Sequence, residues 1–341
     1  MIIQFGGLSM IKKAYIGVDL GGTNTKIAIV DDRGSIIARS MIPTQAMRPA
    51  ENVVEDIANE AKRLKKEAEL KDFKVYSLGI GIPGLIDWNR GICLLLPNFP
   101  NKWKHIPIKE WLEEKLSLPV AVINDVRAIT LAEKRFGAGK DVKSLILMAI
   151  GTGIGGGVVI DGNLYIGKDG SAGELGHIIV EPGGIKCGCG NRGCLESYAS
   201  GPSIVAQALR SLVQQNDTMI RDMIKGDLNL VTPKIIADAA VAGDEIAKDI
   251  IKQSGFYIGV ALSSACVVVN PEMIIIGGGV AQAGRLLFES IANSLKENLH
   301  MVPVSTIQFT ETELGMDAGV IGTATWSKEK LIKGEIILDS E

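Results

Sequence analysis

The sequence predicts an α/β chain of two lobes, each a sheet covered by helices and each opening on a copy of one strand-turn-strand unit. Three observations carry this. Apolar segments of strand length bracket glycine turns twice, once near the N-terminus and once near the middle. Helical stretches then alternate with short apolar strands in both halves, the pattern of sheets flanked by helices. The chain, at 341 residues, is long enough for two domains with separate cores.

In order, residues 14–19 are apolar, Gly21-Gly22-Thr23 turns, residues 27–30 are apolar again, and residues 31–34 turn into a third strand. Residues 51–70 carry Val53, Val54, Ile57, Ala61, Leu64 and Ala68 on one helical stripe, so the lysines from 62 to 66 form its wet face. Strands follow at 77–82 and 120–123. Asn124 or Asp125 would cap a helix over 126–136, which closes at Gly137 and Gly139. The second copy begins at 145–150, turns at Gly151-Thr152-Gly153, and continues at 157–160. Asp161-Gly162 is a hairpin signal before 164–166. A further apolar strand is expected at 273–276.

Hydrophobic residues make up 46% of the chain and charged ones 22%, as in soluble globular proteins. The 36 basic and 39 acidic residues nearly cancel, which argues against nucleic acid or membrane as a partner. Residues 1–13 lack the apolar core and cleavage site of a signal peptide, and Met10 is a second candidate start. The apolar run 144–160 is broken by glycines and the run 258–280 by Asn270, Pro271 and Glu272, so neither reads as a membrane span. Reduced, metal-binding cysteines suit the cytoplasm.

Three of the five cysteines lie in one glycine-laced loop. Cys187, Cys189 and Cys194, with His177 upstream, supply four ligands of the kind a tetrahedral zinc ion prefers. Four protein ligands leave no open position, so such a Zn²⁺ is structural. The competing reading is three unrelated or disulfide-bonded thiols.

Two glycine turns suit phosphate. In the segment 16–26, Gly21 and Gly22 would expose backbone N–H groups as an anion nest, Thr23 adds a hydroxyl, Lys26 a charge, and Asp19 could hold Mg²⁺ through water. Gly151, Thr152, Gly153 and Gly155 would form a second phosphate loop. That segment also satisfies GxGxxG, as does 79–84, but a dinucleotide fingerprint must open a helix and this one continues as a strand. No P-loop motif occurs. A third cluster, Gly277, Gly278 and Gly279, ends an apolar strand before a helix; a tight turn is the plain alternative to a ligand role.

The segments DLGGTNTK and CGCGNRGCLE followed by SYASG resemble signatures of the ROK family of sugar kinases and sugar-responsive repressors. The resemblance runs from residue 16 to about residue 326. It implies a duplicated, two-lobed actin-like ATPase (ribonuclease H-like) fold, with nucleotide in the interlobe cleft. Residues 1–123 with 318–341 would form the small lobe, and 124–317 the large lobe. The last helix, over 318–326, would cross back onto the first lobe. The resemblance places adenine at Gly277 to Gly279.

Phosphoryl transfer needs an aligned hydroxyl, a base and charge neutralisation. Asp125, in VINDV at the end of a strand, is the candidate base; helix capping is its simpler role. The family match assigns sugar hydroxyls to Asn98, Asn124, Asp125, Glu174, His177 and Glu196, with backbone near Gly84. Asn101 competes with Asn98. One ring nitrogen of His177 could bind zinc while the other faces the sugar. Val126 and Arg127 stand where the family commonly has small residues, which leaves sugar preference open.

The expected activity is ATP-dependent phosphorylation of a hexose 6-hydroxyl in carbohydrate metabolism, most simply of glucose, with N-acetylmannosamine or another hexose as the alternative and polyphosphate as an open substitute for ATP. A homo-oligomer, dimer or tetramer, is implied by the family. A sugar-sensing repressor is disfavoured on the expectation that the first strand, near Ala14, leaves no room for an N-terminal DNA-binding domain. A zinc-stabilised scaffold would leave the phosphate loops unexplained.

Overall fold

A computed structural model describes residues 11–96, 99 and 103–337. The chain divides into two compact units, one of Met1–Lys140, Gly167–Ser171 and Leu314–Glu341, the other of Asp141–Ile166 and Ala172–Glu313.

In the first unit, β1 (Lys12–Leu20), β2 (Asn24–Asp31) and β3 (Ile36–Pro43) form an antiparallel meander. α1 (Ala50–Glu69) buries its whole predicted apolar stripe and turns Lys62, Arg63 and Lys66 to solvent. β4 (Phe73–Ile82) returns parallel to β1. Next come β5 (Leu85–Asp87), β6 (Ile92–Leu95) and β7 (Lys104–Ile106), a small antiparallel sheet. α2 (Ile108–Leu116) then leads to β8 (Val120–Asn124), parallel to β4. The main sheet has the order β3-β2-β1-β4-β8. α3 (Asp125–Phe136) starts at once because the Asn124 side chain accepts from the Val126 and Arg127 amides, and Gly137 caps its end.

The second unit repeats the plan. β9 (Leu145–Ile150), β10 (Ile154–Ile160) and β11 (Asn163–Tyr165) form the meander. Five helices follow, α4 (Glu196–Ala199), α5 (Gly201–Val213), α6 (Met219–Met223), α7 (Pro233–Ala242) and α8 (Glu245–Val269). β12 (Met273–Gly277), α9 (Arg285–Asn298) and β13 (Gln308–Glu311) complete it. Its sheet order, β11-β10-β9-β12-β13, has the same succession of antiparallel and parallel pairings as the first. β10 begins at Ile154, earlier than expected, because Gly155, Gly156 and Gly157 pair with β9 although they carry no side chains to show alternation. α8 is long and apolar enough to cross a membrane by length and composition, but most of its apolar stretch is buried within this unit. Its Gly255 and Gly259 lie against Ser290 and Ser294 of α9.

α10 (Ala318–Ile332) belongs to the first unit and lies flat on its sheet. A Cβ on Gly17 or Gly79 would overlap the carbonyl oxygens of Val320 and Thr323, so these glycines admit the helix backbone itself. On its other side, Gly322 meets the Ala128 carbonyl of α3. The Trp326 indole N–H donates to the Val122 carbonyl at 3.1 Å. Held between the sheet and α3, α10 keeps α3 in the first unit. That unit therefore runs to Lys140, past the boundary expected at Asn124. The buried Glu133 carboxylate adds to this, accepting from the amides of Ala138 at 3.0 Å and Leu314 at 2.9 Å.

Candidate active site

β1, β4 and β8 run parallel and end on one edge of the first sheet, the position where open α/β sheets bind ligands. Asp19, the penultimate residue of β1, pairs with Gly81 of β4, and Gly81 is also paired to Ile123 of β8, one residue before the Asn124-Asp125 pair. Two carboxylates thus flank a residue with no side chain. A Cβ on Gly81 would lie 3.5 Å from the Asp125 Cα. Asp125 is half-buried, and burial first, then the negative charge of Asp19, pushes its pKa up to about 6. The Val126 N–H, 2.9 Å from Oδ1, and the charge of buried Arg127 oppose that rise. Burial also raises the pKa of Asp19, against the pull of Lys26, its cross-strand partner at 3.7 Å.

The turn between β1 and β2 is braced from behind. Thr44 donates its hydroxyl to the Gly21 carbonyl at 2.7 Å and its amide to the Thr23 carbonyl at 2.9 Å, and its hydroxyl lies 2.8 Å from that of Thr25. Gly22 has open space where a side chain would stand, and Thr23 is exposed. Lys26 also donates to the Met316 carbonyl at 3.1 Å. Gly84, at φ 106°, takes a backbone conformation that glycine favours. Asn98 and its competitor Asn101 lie outside the described residues.

In the second unit, Gly151-Thr152-Gly153 joins β9 to β10 as a hairpin turn, not a helix start. Gly278, at φ 86°, would clash through any Cβ with the Ile150 backbone, so the end of β12 abuts the end of β9. Gly277 is closed off by Thr312, whereas Gly279 opens onto a cleft lined by apolar Ile204, Pro233 and Ile251 and by polar Lys234, Asp238 and Gln282. A 3₁₀ turn over Gly279–Ala283 precedes α9, where the sequence suggested a helix directly. Of the three glycines, only Gly279 has space that packing leaves unexplained.

A second 3₁₀ turn, Leu175–His177, carries His177 and follows exposed Glu174. It lies on β10, because Gly176 meets the Ile154 carbonyl and Gly156 meets Leu175. His177, Cys187, Cys189 and Cys194 bring their ligand atoms within 4.8 Å of one another. Cys187 Sγ lies 3.8 Å from His177 Nδ1, and Cys189 Sγ lies 3.7 Å from Cys194 Sγ. Tetrahedral zinc, with bonds of about 2.0–2.3 Å, separates its ligands by about 3.3–3.8 Å, so the residues fit that ion. All three are free thiols, which removes the disulfide alternative. Glu196 opens α4 two residues beyond Cys194, and its Oε2 accepts from the Ile154 amide at 2.9 Å.

Sequence reasoning missed Gly81, Thr44 and the Glu196–Ile154 bond. Gly81 was visible only inside a weak glycine pattern, and nothing local marks the other two, because their partners are distant in sequence.

The pattern of the ROK family matches residues 15–330. A glucokinase from Thermotoga maritima is 35% identical over 94% of this chain and 99% of its own length. The crystal structure of a ROK family glucokinase from Streptomyces griseus, in complex with glucose and AMPPNP, superposes with a TM-score of 0.78 at 33% identity, covering 93% of this chain and 99% of that one. A xylose repressor from Caldicellulosiruptor bescii is 29% identical over 91% of this chain and 76% of its own length. The doubled sheet, with glycine turns after the first strand of each copy, defines a two-lobed α/β protein of the actin-like ATPase class. Within that class, the chain belongs to the ROK family.

Proposed function

We infer that this protein is an ATP-dependent hexose kinase that phosphorylates the 6-hydroxyl of glucose. The observation that carries the reading is the pair Asp19 and Asp125 flanking Gly81 at the carboxyl ends of three parallel strands. A base with a pKa of about 6 is ionised at neutral pH and still basic enough to accept a hydroxyl proton as the bond to phosphorus forms. In this reading Asp125 takes that proton and Asn124 holds a neighbouring sugar hydroxyl. Glu174, His177 and Glu196 supply further hydroxyl contacts. The backbone amides at 21–23 and 151–153, with Lys26 and Thr23, hold phosphate oxygens, and Gly279 with the cleft beside it receives adenine.

Mg²⁺, when bound, neutralises charge on the phosphates, and Asp19 is the carboxylate placed to hold it through water. Zinc on Cys187, Cys189, Cys194 and His177 Nδ1 would leave Nε2 for the sugar and fix the tautomer that presents it.

A repressor that only senses sugar needs no base, so the two carboxylates placed about Gly81 at the ends of parallel strands favour the enzyme. Purified protein with Mg²⁺ and ATP is expected to release ADP only when a hexose is added. The panel comprises glucose, mannose, fructose, allose and the N-acetylated amino sugars. Silence across that panel refutes the kinase reading.

A further inference from the structure

Sugar recognition does not require what Glu196 does in the fold. Its Oε2 accepts from the Ile154 amide at 2.9 Å and lies 2.5 Å from where a Cβ on Gly153 would stand. Just beyond α4, the Gly201 amide donates to the Gly151 carbonyl at 2.9 Å. The Ser203 hydroxyl donates to the Glu196 carbonyl at 2.9 Å and fastens α4 to the start of α5. The first residue of this four-residue helix and the first residue of α5 therefore both hold the one glycine turn. Left to itself, a turn rich in glycine would lose much backbone entropy on gripping an anion. Tied at Gly151 and Ile154, it is ordered beforehand.

We propose that Glu196 is a positioning residue for the turn 151–154. Its Oε2 sets the Ile154 N–H so that the amides between hold their phosphate-binding orientation. Among the described residues no donor is recorded on Oε1, which remains for a sugar hydroxyl. One carboxylate then touches sugar through one oxygen and steadies the nucleotide loop through the other. Sugar and nucleotide binding are thereby coupled, each strengthening the other. The inference rests on the phosphoryl-transfer reading of the turn.

The test is calorimetric titration of the full-length, zinc-loaded protein with Mg²⁺ and AMPPNP, without sugar. Glu196→Gln keeps a carbonyl that can accept from Ile154, whereas Glu196→Asp is one methylene too short to reach it. The aspartate variant is expected to lose about tenfold in AMPPNP affinity, as for one charged hydrogen bond, while the glutamine variant stays within about twofold of wild type. Both should bind glucose more weakly. Gly153→Ala is an independent check, since its backbone tolerates alanine and the new methyl displaces only the carboxylate; it should match the aspartate variant. Should Glu196→Asp fail to fold, Gly153→Ala decides alone. Wild-type AMPPNP affinity in Glu196→Asp, or an equal fall in the aspartate and glutamine variants, overturns the proposal. Failure of every hexose to be phosphorylated refutes the kinase reading, while the AMPPNP titration still decides the role of Glu196.

Discussion

Replacing Asp125 with asparagine should abolish turnover and at the same time stabilise the first unit. The carboxyl group is raised from its ordinary 3.8 to about 6, chiefly by burial and then by Asp19. Between those values the folded chain binds a proton that the unfolded chain has released, so the group's contribution to stability falls as pH rises through that window. At pH 8, a shift of about two units amounts to a cost of about 3 kcal/mol. That cost shrinks to about 1.6 kcal/mol at pH 5 and about 0.5 kcal/mol at pH 4. Asparagine has the same shape and can accept from the Val126 amide, but carries no charge. The assay is guanidinium unfolding followed by tryptophan fluorescence. All four tryptophans, Trp88, Trp103, Trp111 and Trp326, lie in the first unit, so the signal reports that unit alone. Asp125→Asn should be more stable at pH 8, with the gain nearly gone at pH 4. A variant no more stable at pH 8, or with a gain independent of pH, would refute the electrostatic account of the site.

Other outcomes follow from the same geometry. Asp19→Asn removes the like charge, so the extra stability conferred by Asp125→Asn at pH 8 should be smaller in that background; an unchanged gain would leave burial as the only cause. In the wild-type enzyme, turnover should rise with pH through about 6 and then level off, falling about tenfold between pH 7 and pH 5; a flat profile over that range excludes Asp125 as the base. Gly79→Ala forces a methyl into the Thr323 carbonyl and should destabilise the first unit by about 1–3 kcal/mol, read by the same fluorescence transition. Metal analysis should find one zinc per chain, and its removal, or Cys189→Ser, should weaken glucose binding measured by calorimetry. Unchanged glucose affinity after metal loss would separate the cysteine cluster from the sugar site.

The duplication, the α1 stripe, the Asn124 cap and the cysteine cluster were all legible in the sequence. Each is a local pattern, carried by residues a few positions apart whose spacing matches a strand, a helix face or a metal's ligand sphere. The early start of β10 is hidden because consecutive glycines show no alternation, and the grouping of α3 with the first unit is not legible because its partner, α10, lies almost two hundred residues on. Asn98 rests on the resemblance alone, since it falls outside the described residues.

By itself, then, the sequence marked the candidate residues for phosphate, metal and sugar, because chemistry resides in residue type and spacing. Only the tertiary structure decided that Asp19 and Asp125 stand on either side of Gly81 and that Glu196 reaches the Ile154 amide. Strand pairing and helix packing bring distant segments together, and it is their proximity that raises the pKa of Asp125 and holds the glycine turn in place.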